Sequence, residues 1–205
     1  MNYFHLSPNV IGCEDFLPPY ALDEIKIELL NNRSAFQIPK WETAGALTVE
    51  SYSWKCGAED YWIDSGTDSP PNKKILNLSS WFLHQGIINF IKDKTSVFDL
   101  LERRFKSDVH VLSYNHGGYY NWHCDRKEGN LFTFSLILNE GDQLKGGDLL
   151  LRDGGKTITV ANKNNFMIVL PSYIAHAVTP LYSEDKKDVP FAALRFSIQH
   201  WLSLW

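Results

Sequence analysis

The chain has 205 residues, of which 44% are hydrophobic and 14% aromatic, and a formal net charge of −4. These values favour one folded domain and exclude a disordered chain, a collagen-like fibre and a disulfide-stabilised miniprotein. Because basic residues are not in excess, the composition argues against nucleic acid as a partner. The 3 cysteines show no CxxC spacing, so neither a disulfide framework nor a thiolate zinc site is expected.

The sequence shows no targeting or membrane-spanning pattern. Residues 1–8 lack a basic region followed by an apolar stretch, so no secretory signal is expected. No apolar run approaches the roughly 20 residues that a transmembrane helix needs. We therefore expect a cytoplasmic protein without a membrane partner, and the sequence leaves its oligomeric state open.

Residues 1–106 carry mainly helical and loop patterns, and we expect them to support a β core formed by residues 107–205 of the same domain. Apolar residues at helical spacing predict helices over 21–31 and 79–92. A continuation or a further helix is expected over 96–105.

Residues 40–74 are rich in aromatic residues, glycine, serine and proline, a composition that interrupts regular structure. We expect a loop region here rather than one long element. Its many aromatic side chains make it a candidate lining for a substrate cleft. The aromatic residues concerned are Trp41, Tyr52, Trp54, Tyr61 and Trp62.

After residue 106 the pattern changes to short strands separated by turns, such as the one expected at Gly117-Gly118. The predicted strands are 108–114, 131–138, 147–151, 157–160, 165–170 and 191–201. Many short strands at even spacing predict a mostly β fold with flanking helices, built as a sandwich or barrel such as a jelly roll.

A candidate metal site lies in the β half. On an extended segment, His123 and Asp125 face the same side while Cys124 faces away and is expected in the core. His176, just after the strand predicted over 165–170, offers a third ligand. Two histidines and one carboxylate with open positions suit a non-haem Fe(II) oxygenase. An HxD pair is also a frequent accident, so the pattern alone leaves an incidental arrangement open.

Arg195 lies on the last predicted strand, where an arginine is expensive to bury unless an anion meets it. A guanidinium can grip a ligand carboxylate with two parallel hydrogen bonds. An internal ion pair with Asp or Glu would serve equally well. The strand alone does not decide between the two.

Five short motifs follow one another between about residues 108 and 201. They are Tyr114…Gly118…Tyr120-x-x-His123-x-Asp125, Leu136-Ile137-Leu138-Asn139, Gly146-Gly147-Asp148-Leu149, His176-Ala177-Val178-x-Pro180 and Arg195-Phe196-x-Ile198-x-x-Trp201. In this order they resemble the prolyl-hydroxylase-like branch of the Fe(II)/2-oxoglutarate-dependent dioxygenases. The resemblance implies a double-stranded β-helix, which is a jelly roll, with the N-terminal part supplying support helices.

The resemblance also implies roles for individual residues. His123, Asp125 and His176 would bind the iron. Arg195 would bind the distal carboxylate of 2-oxoglutarate, with the Tyr114 hydroxyl as a second contact. Together these are the expected catalytic, metal-binding and cofactor-binding residues.

The implied chemistry is hydroxylation of a peptidyl substrate, with proline as one candidate, or of a small molecule, with release of succinate and CO2. Fe(II), 2-oxoglutarate and O2 are the implied cofactors, with ascorbate as an optional one. The resemblance further implies that residues 40–74 form a mobile loop over the iron.

Two features depart from the family pattern. His176 and Arg195 are 19 positions apart, and residues 181–190 look like an inserted polar loop. Lys186 and Lys187 in that loop are rival carboxylate binders, although a charge run favours a solvated face. Ile137 stands where oxygen-sensing prolyl hydroxylases carry a tyrosine that touches the cosubstrate, so prolyl specificity is not implied.

Two other functions remain open from the sequence. A zinc-dependent hydrolase could use the same three ligands, but it would leave a buried arginine unexplained. A non-enzymatic jelly-roll binding module would make the histidines incidental. The remaining histidines of the β half, His110, His116 and His200, are expected to be packed or solvated rather than ligands.

Overall fold

In a computed structural model of the chain, the described residues are 2–36, 55–62, 73–94, 96–102, 105–126, 129–139, 141 and 143–204. The predictions for Trp41, Tyr52 and Trp54 lie outside this set. Within it, no helix combines the length and apolar character that a membrane span requires.

The described residues form strands and short helices in the following order. The strands are β1 (Asn2–Ser7), β2 (Val10–Glu14), β3 (Lys55–Trp62), β4 (Phe105–His123), β5 (Asn130–Asn139), β6 (Lys145–Gly146), β7 (Leu149–Asp153), β8 (Lys156–Val160), β9 (Phe166–Pro171), β10 (Ala175–Val178), β11 (Leu181–Tyr182) and β12 (Arg195–Leu204). The α-helices are α1 (Pro19–Asn31), α2 (Lys73–Ser79) and α3 (Gln85–Lys92), and short 3-10 helices cover Arg33–Ala35, Ser80–Leu83, Ser96–Glu102 and Phe191–Ala193.

The strands form one antiparallel sheet in the order β1-β2-β9-β5-β12-β4-β10-β7-β8, with β3 paired to β4. This sheet is nearly closed on itself, and the short strands β6 and β11 pair separately. From β2 to β7 in this order, no two neighbouring strands are consecutive in sequence, which is typical of a jelly roll. The predicted double-stranded β-helix is therefore confirmed.

Strand β4 connects the two halves of the barrel. Its first part, Phe105 to Tyr114, pairs with β12, and its last part pairs with β10 at Tyr120 and His123. We predicted a turn at Gly117-Gly118, but the strand continues through it as a bulge, with Gly117 at φ +75°. The bulge bends β4 without ending it.

The helices pack against the outside of the barrel. Ile25 and Leu29 of α1 are buried in a core shared with the sheet. Phe82 stacks on Phe134 of β5 with ring centroids 4.0 Å apart. His200 lies in the same layer, with Nε2 2.8 Å from the Ser79 hydroxyl, and burial lowers the pKa of His200 to about 3, which keeps the ring neutral. The expected support helices are thus present.

Several elements differ from the predictions. The helix expected over 79–92 is interrupted after α2 by a 3-10 turn and an extended residue at His84, and the residues after 96 form a 3-10 helix. Strands β1 and β2 were not predicted, yet β2 pairs directly with β9 of the barrel. Residues 55–62, which include Tyr61 and Trp62, form a regular strand rather than part of a loop, because their backbone pairs with β4.

Candidate active site

The three residues of the predicted metal site lie together where β4 and β10 meet. His123, the last residue of β4, pairs with His176 in the antiparallel register, so the two imidazoles are neighbours. The Asp125 carboxylate oxygens lie 3.6 Å from His123 Nε2 and 3.4 Å from His176 Nε2. The ligand atoms of all three residues lie within 4.8 Å of one another. The two-residue spacing and one strand pairing therefore create a His–Asp–His cluster.

Backbone carbonyl groups orient both imidazole rings. His123 Nδ1 lies 2.8 Å from the carbonyl oxygen of Asn121. His176 Nδ1 lies 3.0 Å from that of Ile174. Because a carbonyl oxygen can only accept, Nδ1 donates in each ring, which leaves the Nε2 lone pair toward the cluster. A ring N–H donated to a backbone carbonyl is typical of metal-binding histidines. The Tyr120 ring also stacks on His123 at a centroid separation of 3.8 Å.

The cluster fits a divalent metal ion. With Nδ1 protonated, two Nε2 lone pairs and a carboxylate converge, and these acceptors repel one another unless a cation lies between them. Ligand atoms at about 2.1 Å from one ion on adjacent octahedral positions are about 3 Å apart. The observed separations of 3.4 and 3.6 Å are close to that value. Imidazole and carboxylate donors also match the preference of Fe(II).

Asp125 is ionised although it is buried. Burial by itself raises the pKa of its carboxyl, but the positive charge that the His176 and His123 imidazoles carry when protonated outweighs that effect, as a bound cation would in their place. Hydrogen bonds from Thr133 and Trp201 lower the pKa further, so it lies below its ordinary value. A negative charge is therefore available to bind a cation at neutral pH.

A second polar group is buried within the same barrel, at the start of β12. Arg195 is 1% exposed, and Tyr114, its partner in register on β4, is 0% exposed. Among the described residues, Arg195 Nε and Nη1 and the Tyr114 hydroxyl have no hydrogen-bond partner. Burial lowers the pKa of the Arg195 guanidinium, while Tyr114 and Asp148 oppose that shift.

Among the described residues, no carboxylate forms an ion pair with Arg195. The internal ion pair that the sequence left open is thus not found there. Burial raises the pKa of the Tyr114 hydroxyl, which remains protonated and able to donate. Three buried donor groups without partners are costly, and a ligand carboxylate would satisfy them.

Gly147 allows the chain to approach Arg195 closely. Its φ is +74°, and a Cβ at this position would lie 2.9 Å from Leu181 Cγ, 3.0 Å from Asn162 Nδ2 and 3.1 Å from Arg195 Cδ. Only glycine combines this backbone conformation with so little space. The Gly-Gly-Asp-Leu motif therefore helps to position the arginine.

The polar segment 181–190 is attached to β4. The Asn115 side chain accepts from the Val189 N–H at 2.9 Å and donates to the Val189 carbonyl at 3.3 Å. The Ser183 N–H donates to His116 Nδ1 at 3.0 Å. Two consecutive residues of β4 thus hold both ends of the segment, and His116 has a positioning contact rather than a solvated ring.

Lys186 and Lys187 are exposed and lie on a solvated face, as expected, whereas Arg195 is buried. Ile137 is fully buried on β5. The expectation that Cys124 lies in the core was wrong, because the residue is exposed. Its Sγ donates to the Tyr173 carbonyl oxygen at 3.3 Å.

Two polar residues beside the cluster escaped the sequence reasoning. Thr133 donates from Oγ1 to Asp125 Oδ2 at 2.8 Å, and its Oγ1 lies 3.1 Å from the Ser172 hydroxyl. Thr133 and Ser135 alternate with apolar residues on β5, and this period of two could have marked an inward-facing polar stripe. Ser172 lies in a turn and has no comparable signal.

Comparison with known proteins finds a family match over the barrel. Residues 109–203 match the model of the 2OG-Fe(II) oxygenase superfamily. No curated protein sequence matches the chain significantly. Among solved structures, a Pseudomonas putida prolyl-4-hydroxylase shares 16% identity at a TM-score of 0.60, covering 96% of this chain and 93% of that chain.

Two further structures share the fold. A prolyl hydroxylase from Trichoplax adhaerens, solved in complex with a hypoxia inducible factor oxygen degradation domain peptide fragment, is 20% identical at a TM-score of 0.67, covering 96% of this chain and 84% of that chain. OsALKBH1 is 15% identical at a TM-score of 0.64, covering 97% of this chain and 100% of that chain.

The family match contains the His–Asp–His cluster as well as Arg195 and Tyr114. It agrees with the resemblance that the five motifs carry, and the structural neighbours share the barrel. Residues 109–203 therefore match the 2OG-Fe(II) oxygenase superfamily, and the solved structures that share the fold of the chain include prolyl hydroxylases.

Proposed function

We propose that the protein hydroxylates its substrate with Fe(II) bound by His123, Asp125 and His176 and with 2-oxoglutarate bound by Arg195 and Tyr114. The observation that carries the proposal is the pairing of two features within one barrel. A cluster of metal-ligand type lies where β4 and β10 meet, and buried donors with no partner among the described residues lie where β4 meets β12. A cosubstrate with a metal-chelating end and a distal carboxylate would satisfy both.

Bound Fe(II) and 2-oxoglutarate would supply the oxidising chemistry, in which O2 is consumed, 2-oxoglutarate becomes succinate and CO2, and a substrate C–H bond gains one oxygen atom. The protein's own residues bind and orient. The carbonyl-anchored imidazoles keep Nε2 aimed at the metal position. Arg195 and Tyr114 fix the distal carboxylate, and the buried walls keep water away from the reacting groups.

For the substrate we propose a peptidyl side chain, with proline as the first candidate and a small molecule as the alternative. The Trichoplax structure supports a peptide, because that relative was solved with a peptide fragment bound. Ile137 argues against simple transfer of prolyl specificity, since an apolar side chain stands where the oxygen-sensing enzymes carry a tyrosine. A zinc-dependent hydrolase would leave the donors of Arg195 without a role.

The test is turnover of Fe(II)-loaded protein with 2-oxoglutarate, followed as O2 uptake and succinate release, with and without ascorbate. We expect slow succinate formation without substrate and faster formation with an accepted one, found by screening proline-containing peptides, other peptides and amino acids. Peptide hydroxylation is read as a mass gain of one oxygen atom. Fe(II)-loaded protein that forms no succinate under any of these conditions would contradict the proposal.

A further inference from the structure

Asp125 lies beyond the end of β4, so other elements must hold its carboxylate in place. Strand β4 ends at His123, so no ladder hydrogen bonds orient the carboxylate two residues later. Its backbone N–H instead donates to the Ser172 carbonyl at 2.9 Å. Its side chain accepts from Thr133 Oγ1 at 2.8 Å on Oδ2. Both contacts come from other elements of the barrel, namely β5 and the turn after β9.

The direction of these hydrogen bonds follows from counting protons. Thr133 Oγ1 donates to Asp125 Oδ2, and a hydroxyl group has a single proton to give. The Ser172 hydroxyl, 3.1 Å away, must then donate to the Thr133 oxygen. The result is a relay in which Ser172 donates to Thr133 and Thr133 donates to Asp125. Thr133 is 1% exposed and Ser172 is 0% exposed, so water does not compete with either bond.

The same turn also connects to the second histidine. The Ser172 N–H donates to the Leu131 carbonyl at 2.8 Å, which fixes the turn to β5. The Ile174 N–H donates to the Pro171 carbonyl at 3.0 Å, and His176 follows two residues later. The position of the relay is therefore coupled to two of the three residues in the cluster.

We propose that Thr133, held by Ser172, is a positioning residue that orients the Asp125 carboxylate for metal binding. Its hydrogen bond holds Oδ2, which lies 3.4 Å from His176 Nε2, and thereby fixes the direction of Oδ1, which lies 3.6 Å from His123 Nε2. This inference rests on the proposed function, because it assumes that the cluster binds a divalent ion. Partners of this kind typically change metal affinity tenfold to a hundredfold, about as much as a hydrogen bond to a charged group allows.

The test compares Mn(II) affinity, measured by calorimetric titration, and the Co(II) absorption spectrum in four proteins. Thr133→Val has nearly the same shape as threonine without the hydroxyl, and should weaken Mn(II) binding roughly tenfold to a hundredfold. Thr133→Ser keeps the hydroxyl and should restore affinity to within about threefold of wild type. Ser135→Ala is the matched control, because its buried hydroxyl lies on the same face of β5 but pairs with Ser197 at 3.0 Å.

At saturating Co(II), Thr133→Val should show an altered ligand-field spectrum, while Ser135→Ala and Thr133→Ser should resemble wild type. Thermal unfolding of the metal-free proteins separates positioning from folding. If Thr133 had a purely structural role, Thr133→Val would lower both the thermal stability and the Mn(II) affinity, and Thr133→Ser would restore neither. Wild-type affinity in Thr133→Val would overturn the inference. If wild-type protein itself binds no Mn(II), the proposed function fails instead, so the two failures are distinguishable.

Discussion

At the scale of single residues, the decisive feature is a buried positive charge that the described part of the chain does not neutralise. Arg195 Nε and Nη1 lack hydrogen-bond partners in the described part of the chain, and no described carboxylate forms an ion pair with the residue. An unpaired buried charge destabilises a folded protein by several kcal/mol in general terms. Asp148 and the Tyr114 ring, whose centroid lies 5.0 Å from Arg195 Cζ, offset only part of this cost, and a bound anion would offset more of it.

Arg195→Met removes the charge but keeps the length of the side chain. It should therefore change stability and 2-oxoglutarate affinity in opposite directions. The ligand-free variant should unfold at the same temperature as wild type or higher, because the desolvated charge is gone. The affinity of Mn(II)-loaded protein for 2-oxoglutarate, measured by calorimetry, should fall about tenfold to a hundredfold. Arg152→Met is the control, since its guanidinium stacks on Trp122 at 4.1 Å outside this pocket. Unchanged 2-oxoglutarate affinity in Arg195→Met would place the anion elsewhere.

His176→Ala tests the metal assignment. The residue is only 4% exposed and its Nε2 faces Asp125. Loss of one of three donors should weaken Mn(II) binding by more than about a hundredfold, exceeding the effect of a supporting partner. Metal content after dialysis and circular dichroism should show a folded protein without stoichiometric metal. The control variant His5→Ala, on the exposed edge strand β1, should retain stoichiometric metal. Full occupancy in His176→Ala would exclude this residue as a ligand.

At the scale of elements, the turn before β7 sets the position of Arg195. Gly147→Ala would place a Cβ 3.1 Å from Arg195 Cδ at a φ of +74°. Gly155→Ala is a matched control, because its φ is +77° but no heavy atom lies within 4 Å of the new Cβ. Both variants should lose about 1 kcal/mol of stability from the backbone conformation. Only Gly147→Ala should also lose 2-oxoglutarate affinity, and equal affinities in the two variants would contradict a positioning role for Gly147.

Another contact between elements makes stability depend on pH. The Asp153 carboxylate, at the end of β7, accepts from the Ser7 hydroxyl at 2.6 Å and from the backbone and side-chain nitrogens of Asn9 at 3.1 and 3.0 Å. Burial raises the pKa of Asp153, but these hydrogen bonds outweigh it and hold the pKa below its ordinary value of 3.8. The contribution is therefore fully present above pH 3.8 and is lost as pH falls through the lower folded-state pKa.

Asp153→Asn should accordingly reduce the free energy of unfolding by about 1 kcal/mol at neutral pH. The difference from wild type should shrink as the pH falls below 3.8, which urea denaturation at several pH values can measure. Asp188→Asn, on the exposed polar segment, should differ little from wild type across the range. A difference that grows toward acid pH would have the wrong sign and would refute the argument.

The elements also show what sequence patterns can predict. Apolar runs such as those of β5 and β9 identify buried strands, and the motif spacing by itself identifies His123, Asp125 and His176 as candidate ligands. Strand β3 carries no such run and forms through pairing with β4, which is a non-local contact. Thr133 and Ser172 meet Asp125 only because β5 and the turn after β9 lie side by side, and no local pattern encodes that contact.

At the scale of the whole molecule, the barrel joins two sites that lie on different strand pairs. Strand β4 carries Tyr114 opposite Arg195 and ends at His123 opposite His176. The bulge at Gly117 lets one continuous strand serve both pairings. A ligand that engages both sites must therefore bind inside the barrel, and its binding should stabilise the whole fold rather than one loop.

This leads to a prediction about thermal stability that separates the candidate functions. A ligand at about 100 times its Kd stabilises the folded state by about 2.7 kcal/mol, which corresponds to a rise in Tm of roughly 5–10 °C for a chain of this size. Mn(II) should produce such a shift, and 2-oxoglutarate should add a second one in the presence of Mn(II) but a smaller one without it. Glutarate, which has the distal carboxylate but no 2-oxo group to approach the metal, should add less than 2-oxoglutarate. A zinc-dependent hydrolase would respond to metal alone, and a binding module with incidental histidines would respond to neither ligand. A metal shift that 2-oxoglutarate leaves unchanged would therefore count against the oxygenase and in favour of the hydrolase.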